Sequence, residues 1–190
     1  MTAIISLLVL CALIILNGFF TMSETALIAC RRARLQPSAD DGDGVAKKIL
    51  RMMDNPTAAL STIQIGITII GLVSGMIGET ALAGPISTAL EYLGVPSAVA
   101  TGLALFLAVM LITYFSIVMG ELFPKRLGQI SPEDTSRKVV RPLEFLSFIM
   151  KPFVNLLTWS TNVMLTKVLK GNVIGPQVTE EEIHAMIEEG

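Results

Sequence analysis

The sequence predicts an all-α membrane protein with three transmembrane helices per protomer, and two observations carry that prediction. Of the 190 residues, 52% are hydrophobic and only 16% are charged, whereas soluble domains carry about 25% charged residues. Three apolar segments, at about 3–29, 57–78 and 97–120, are long enough to cross about 30 Å of hydrocarbon as helices.

The basic residues predict the orientation of these spans. All 14 Lys and Arg fall in two regions, six within 30–56 and eight within 121–190. Cytoplasmic loops are enriched in Lys and Arg, so we expect the N-terminus outside and the C-terminus in the cytoplasm. A fourth span within 142–169 is the alternative, and it would place the acidic tail outside.

Shorter elements are expected around the spans. Apolar residues recur at helical spacing within 44–54, after a polar loop, which predicts an amphipathic helix on the membrane surface. Residues 131–169 are apolar but interrupted, and they predict two short interfacial helices. A transmembrane domain over 1–170 and a linker into a truncated cytoplasmic domain over 171–190 complete the predicted organisation.

The end of the third span is the clearest candidate for a cation site. Pro124 has no amide hydrogen, so it cannot bond the carbonyl of Gly120 four residues earlier. That carbonyl lies beside the carboxylate of Glu121. Charge within a bilayer is costly, which makes such a carboxylate a functional hypothesis by default.

The other two spans carry oxygen-bearing side chains toward the same depth. Ser23 and Glu24 lie in the cytoplasmic half of the first span, and 61–68 holds the polar residues of the second. These groups offer hydroxyl, carboxylate and carbonyl oxygens, without Cys or His. Oxygen-only coordination suits magnesium or calcium rather than zinc or copper.

Three motifs together resemble the membrane domain of the CorC/CNNM (cyclin M) family. They are Phe-Thr-Met-Ser-Glu-Thr-Ala-Leu at 20–27, Ser-Thr-Ile-Gln-Ile-Gly-Ile-Thr at 61–68 and Gly-Glu-Leu-Phe-Pro-Lys at 120–125. The resemblance covers essentially the whole chain. It implies a magnesium transporter of the inner (plasma) membrane of a bacterium, expected to export Mg²⁺ as a homodimer in the lipid bilayer, with Na⁺ proposed as the coupling ion. The tail is similar to the linker into that family's cytoplasmic CBS domains, and no nucleic-acid partner is expected.

The resemblance also implies a set of metal ligands. The matching positions are Ser23, Glu24, Gly66, Thr68, Gly120 and Glu121. Ile67 stands where eukaryotic relatives often have asparagine, which removes one side-chain ligand. Neighbouring residues lie about 100° apart on an ideal helix, so Gly120 and Glu121 can both face one ion only where the helix is distorted.

Several of these polar groups have structural alternatives. Glu121 could pair with Lys125 one turn on, and Glu24 with Arg31 or Arg32. Serine and threonine in a span more often bond their own helix backbone than a ligand, and we expect this of Thr113 and Ser116.

Two other function classes compete with transport. A membrane anchor, assembly or magnesium-sensing module would use the polar groups only to hold helices together or to detect the ion. An intramembrane enzyme is not expected, because the chain has no His-Glu-x-x-His motif and the lone His184 lies on the tail. The absence of a P-loop motif argues against ATP-driven pumping by this chain.

Overall fold

The structure, a computed structural model, describes residues 2–168 and consists of helices throughout that range. In chain order they are α1 (Thr2–Ala29), α2 (Arg32–Asp40), α3 (Gly44–Asp54), α4 (Pro56–Gly78), a π-helical turn (Glu79–Ala83), α5 (Gly84–Tyr92), α6 (Ser97–Ile117), a second π-helical turn (Val118–Leu122), α7 (Phe123–Ile130) and α8 (Pro132–Val168). The chain divides into two units, residues 1–151 and 152–190, and the spans belong to the first.

Three helical stretches are long and apolar enough to cross a membrane, which confirms the predicted all-α fold with three spans. They are Ala3–Ala29, Pro56–Tyr92 and Ser97–Ile130. The second and third are longer than the apolar runs suggested, because a π-helical turn continues each of them where a loop or a helix end was expected. Residues 79–92 therefore extend the second span as the first π-helical turn and α5.

Close contacts show the relative directions of the spans. The Gly120 carbonyl bonds Asn17 of α1, and a methyl group at Gly128 would lie 2.8 Å from the Met22 carbonyl. Residue numbers increase in the same direction along both segments, from the contact of Asn17 with Gly120 to that of Met22 with Gly128. The first span therefore runs parallel to α6–α7. In α4 the order is reversed, since Gly66 meets Phe20 while Leu60 shares a surface pocket with Leu27. Parallel first and third spans are what a three-pass topology requires.

The turns between helices follow from local chemistry. Gly42 and Gly94 have φ values of 98° and 86°, a region in which residues with a Cβ are disfavoured. The Asp43 side chain caps α3 by accepting hydrogen bonds from the amides of Val45 at 2.8 Å and Ala46 at 3.3 Å. Pro56 begins α4, where its missing amide costs nothing.

The predicted amphipathic helix over 44–54 is α3, but its apolar side faces protein. Ile49 is fully buried, and it joins a core with Leu35 of α2 and Leu143 of α8. The apolar periodicity had indicated a helix on the membrane surface. A protein core and a lipid surface impose the same periodicity, so sequence could not separate them.

Ion pairs fasten α3 to the first part of α8. Lys48 pairs with Glu144, and Arg137 pairs with Asp43. The Arg137 guanidinium, with help from the Val45 amide, lowers the pKa of the Asp43 carboxyl below its ordinary value. These contacts hold a layer of helices beside the ends of the spans.

One helix was not expected, and one predicted element differs from the structure. Residues 32–40, to which the sequence assigned no element, form helix α2 with Pro37 inside it. Residues 132–168 form the single helix α8 rather than two short ones. A proline removes one backbone hydrogen bond, and a helix can continue past that loss. The predicted linker over 171–190 lies outside the described residues.

Candidate cation-binding site

The third span is distorted at the predicted site. In the turn Val118–Leu122 the amide of Phe123 bonds the carbonyl of Val118, five residues earlier rather than four. Pro124 follows at once and cannot bond the Gly120 carbonyl. This widened turn supplies the distortion that the sequence argument required, and π-turns of this kind are frequent at functional sites.

The Gly120 carbonyl is taken up by a neighbouring span. Asn17 of α1 donates a hydrogen bond from Nδ2 to this oxygen at 3.0 Å. Gly120 is buried, and a methyl group there would lie 3.1 Å from the same nitrogen. The contact therefore depends on a residue without a side chain at 120. No sequence motif indicated a role for Asn17, although an amide within an apolar span is a recognised interhelical donor.

Glu121 lies on the exposed side of the same turn. Its Oε1 accepts a hydrogen bond from Lys125 Nζ at 2.7 Å, and its side chain is 48% exposed. The alternative pairing along one helix is thus present in this conformation. Since Gly120 is buried and Glu121 is exposed, the two neighbours face different surroundings, as the helical geometry predicts.

The candidate hydroxyls bond their own helices. Ser23 is fully buried and donates to the Phe19 carbonyl at 2.7 Å. Thr68 is exposed and donates to the Gln64 carbonyl at 2.8 Å. A hydroxyl that donates one hydrogen bond keeps lone pairs that can accept a cation.

Glu24 and Gly66 have different surroundings. Glu24 is half-buried, and within residues 2–168 it makes no ion pair, while Arg32 pairs with Asp54 instead. Gly66 packs face-on against Phe20, since a methyl group there would lie 2.8 Å from the ring. Close helix packing explains Gly66 without any ligand.

The structure joins Gly120 to Asn17, and among the described residues no hydrogen bond links any two of the six predicted ligands. No group of three Cys, His, Asp or Glu side chains there could hold a metal. Any metal site in this part of the chain would therefore need hydroxyl, amide or carbonyl oxygens as well. The predicted ligand set stays a prediction.

The chain is similar in sequence to one protein family and to several bacterial proteins. The family described as "Cyclin M transmembrane N-terminal domain" matches residues 8–190. A UPF0053 protein of Synechocystis is 36% identical over 178 residues, covering 94% of this chain and 40% of the relative. The Escherichia coli K12 protein named "Polyamine export protein" is 29% identical over 185 residues, covering 97% and 41%. The chain thus spans about two-fifths of the length of these relatives.

Proposed function

This chain belongs to the cyclin M transmembrane-domain family, and from that premise we propose that it carries magnesium ions across a membrane. The proposed ligands are the hydroxyls of Ser23 and Thr68, the carboxylates of Glu24 and Glu121, and backbone carbonyls at Gly66 and Gly120. Magnesium prefers oxygen ligands and gives up its waters reluctantly. Several oxygens must therefore reach the ion together.

One observation carries this proposal: the third span widens into a π-helical turn at Val118–Leu122, where the Gly120 carbonyl cannot bond residue 124 and accepts a hydrogen bond from Asn17 of α1. Transporters often bind ions where spanning helices are discontinuous, because unpaired backbone carbonyls are available there. Glu121, the next residue, supplies a negative charge at the same point.

The free energy needed to break the contacts that Glu121 and Gly120 now make is small. A Lys–Glu pair at i,i+4 is worth about 0.3–0.5 kcal/mol when exposed, and the Glu121–Lys125 pair is half-exposed. Replacing the Asn17 hydrogen bond to Gly120 costs about 0.5–1.5 kcal/mol. Binding therefore requires Glu121 to leave Lys125 and the Gly120 carbonyl to turn toward the ion.

The remaining parts of the proposal concern the assembly. We place the protein in a bacterial plasma membrane as a homodimer, with the N-terminus outside and the C-terminus in the cytoplasm. Sodium is the proposed coupling ion and export the proposed direction. CBS domains, where present beyond this chain, would act from the cytoplasmic side.

Magnesium binding by purified variants tests the ligand set. We expect Ser23→Ala and Glu121→Gln each to weaken magnesium affinity about tenfold or more, since a charge-assisted contact is worth about 1.5–3 kcal/mol. Glu91→Gln, which removes an exposed carboxylate from α5, is the matched control. Unchanged affinity in both site variants would refute the assignment.

Flux into proteoliposomes tests transport itself. Magnesium movement that responds to an imposed sodium gradient would support coupled transport. Magnesium binding without any flux would favour the alternative of an anchor or sensing module.

The name of the Escherichia coli relatives favours a second candidate, the export of a polyamine. Polyamines are organic cations, so the same liposomes loaded with a diamine provide the comparison. Diamine flux without magnesium flux would replace magnesium by an organic cation as the substrate.

A further inference from the structure

A cavity of about 390 Å³ lies between α1, α4 and α6, and Asn17, which bonds the Gly120 carbonyl, belongs to its lining. Most of its wall is glycine or aliphatic side chains. Its polar lining consists of Asn17, Ser74, Glu79, Thr113 and Ser116. None of the six predicted metal ligands belongs to it.

Glu79 lies well along the second span, where it is exposed at the surface of the bundle and lines this cavity. It begins the π-helical turn that follows Gly78, and a methyl group at Gly78 would meet the Ile112 side chain. Ile112 lies 15 residues into α6, about 22 Å along that helix. Within residues 2–168, Glu79 has no ion pair. A carboxylate at such a depth calls for a cationic partner.

The hydroxyls around this cavity differ from others in the spans. Ser23 and Thr62 each bond a carbonyl of their own helix. Ser74, Thr113 and Ser116 make no hydrogen bond within the described residues, which contradicts our expectation for Thr113 and Ser116. Ser74 is only 6% exposed, and it lines the cavity. Thr113 is exposed and Ser116 is half-buried, so these hydroxyl oxygens are accessible from the cavity and can accept a hydrogen bond.

We propose that this cavity binds an alkylammonium ion. The ammonium group would pair with Glu79 and donate hydrogen bonds to the hydroxyl oxygens of Ser74, Thr113 and Ser116. Its carbon chain would lie against the aliphatic wall, which includes Ile70 and Val109. An ammonium group is a donor only, so it matches a lining of acceptors.

The shape and charge of the cavity favour an organic cation over a bare metal ion. The volume equals that of about a dozen water molecules, far more than a magnesium ion held at about 2.0–2.1 Å requires. One carboxylate balances one ammonium group, and aliphatic walls stabilise carbon chains but offer no metal ligand. The proposal uses none of the six proposed magnesium ligands, although Asn17 contacts both sites, and it identifies a binding site for the second candidate substrate.

The test is calorimetric titration of the purified chain in lipid nanodiscs with 1,4-diaminobutane. We expect Glu79→Gln to weaken diamine affinity about tenfold or more, since a charged contact is lost. Glu91→Gln, outside the cavity, should leave the affinity unchanged. Equal affinity in Glu79→Gln and the unaltered chain would overturn the proposal.

Further variants distinguish loss of diamine binding from loss of folding, and binding in the cavity from binding at the magnesium site. Ser74→Ala and Thr113→Val keep the charge and nearly the volume, and each should weaken diamine binding while leaving magnesium affinity intact. Glu121→Gln should leave diamine affinity intact even where it removes magnesium binding. If Glu121→Gln abolished diamine binding while Ser74→Ala and Thr113→Val had no effect, the diamine would occupy the magnesium site and the cavity proposal would fail. Diamine affinity that depends on Glu79 would support the cavity even if magnesium binding and flux were absent.

Discussion

A methyl group at Gly128 would test the packing that holds the third span against the first. The added Cβ would lie 2.8 Å from the Met22 carbonyl oxygen, 3.2 Å from the Ala26 amide nitrogen and 3.2 Å from the Thr25 Cβ. Two of these three atoms are backbone, so no side-chain rotation can relieve the contact. Ordinary contact begins at 3.4 Å, and α1 and α7 must therefore move apart by several tenths of an ångström.

The expected cost follows from two opposing terms. Overpacking a well-packed site costs about 1–3 kcal/mol. Replacing glycine by alanine within a helix returns about 1 kcal/mol through better helix propensity. We expect Gly128→Ala to lower the free energy of unfolding by about 1–2 kcal/mol, because the backbone contacts place the steric cost toward the upper end of its range.

Gly102→Ala is the matched control, because a methyl group at Gly102 meets nothing within 4 Å. It keeps the propensity gain without the clash, so its stability should equal or exceed that of the unaltered chain by up to about 1 kcal/mol. Denaturant titration in mixed micelles, followed by far-ultraviolet circular dichroism, measures both variants. Equal stability of Gly128→Ala and Gly102→Ala would show that α1 and α7 do not pack as described.

Two further predictions concern the juxtamembrane layer and the topology. The pKa of Asp43 is lowered in the fold, so its stabilising contribution is present above the ordinary carboxyl pKa and is lost as pH falls through the lowered value. The melting temperature of the unaltered chain should therefore exceed that of Asp43→Asn at neutral pH, and the difference should disappear on acidification. A difference that does not change with pH would contradict this. In a cysteine-free background, Asp41→Cys before α3 and Leu93→Cys after α5 should react with a membrane-impermeant maleimide from opposite sides of the membrane. Labelling of both from one side would contradict the three-pass topology.

The three spans could be predicted because lipid imposes a simple requirement on sequence. A helix that crosses about 30 Å of hydrocarbon needs about 20 apolar residues, and three such stretches are visible without any knowledge of packing. Their ends could not be predicted as well. The second span continues beyond Gly78 as a π-helical turn and α5, since polar residues and glycine lower the hydropathy of a segment without necessarily ending its helix.

The candidate site was only partly predictable for a related reason. The missing amide of Pro124 is a local property, and it correctly indicated a distorted helix around Gly120. The partner of the Gly120 carbonyl is Asn17, more than a hundred residues away, and no local pattern specifies which side chain will fill an unpaired acceptor. Glu79 was missed because hydropathy places it outside the span.

The sequence by itself determined the class of this protein, its three spans, its family and the position of its distorted helix. Each of these depends on residue type and spacing along one segment. Tertiary structure alone decided that Ser23 and Thr68 bond their own helices, that Thr113 and Ser116 do not, and that Glu79 shares a cavity with them. The physical reason is that a polar side chain takes its partner from the helices packed around it, and their register is a property of the whole fold.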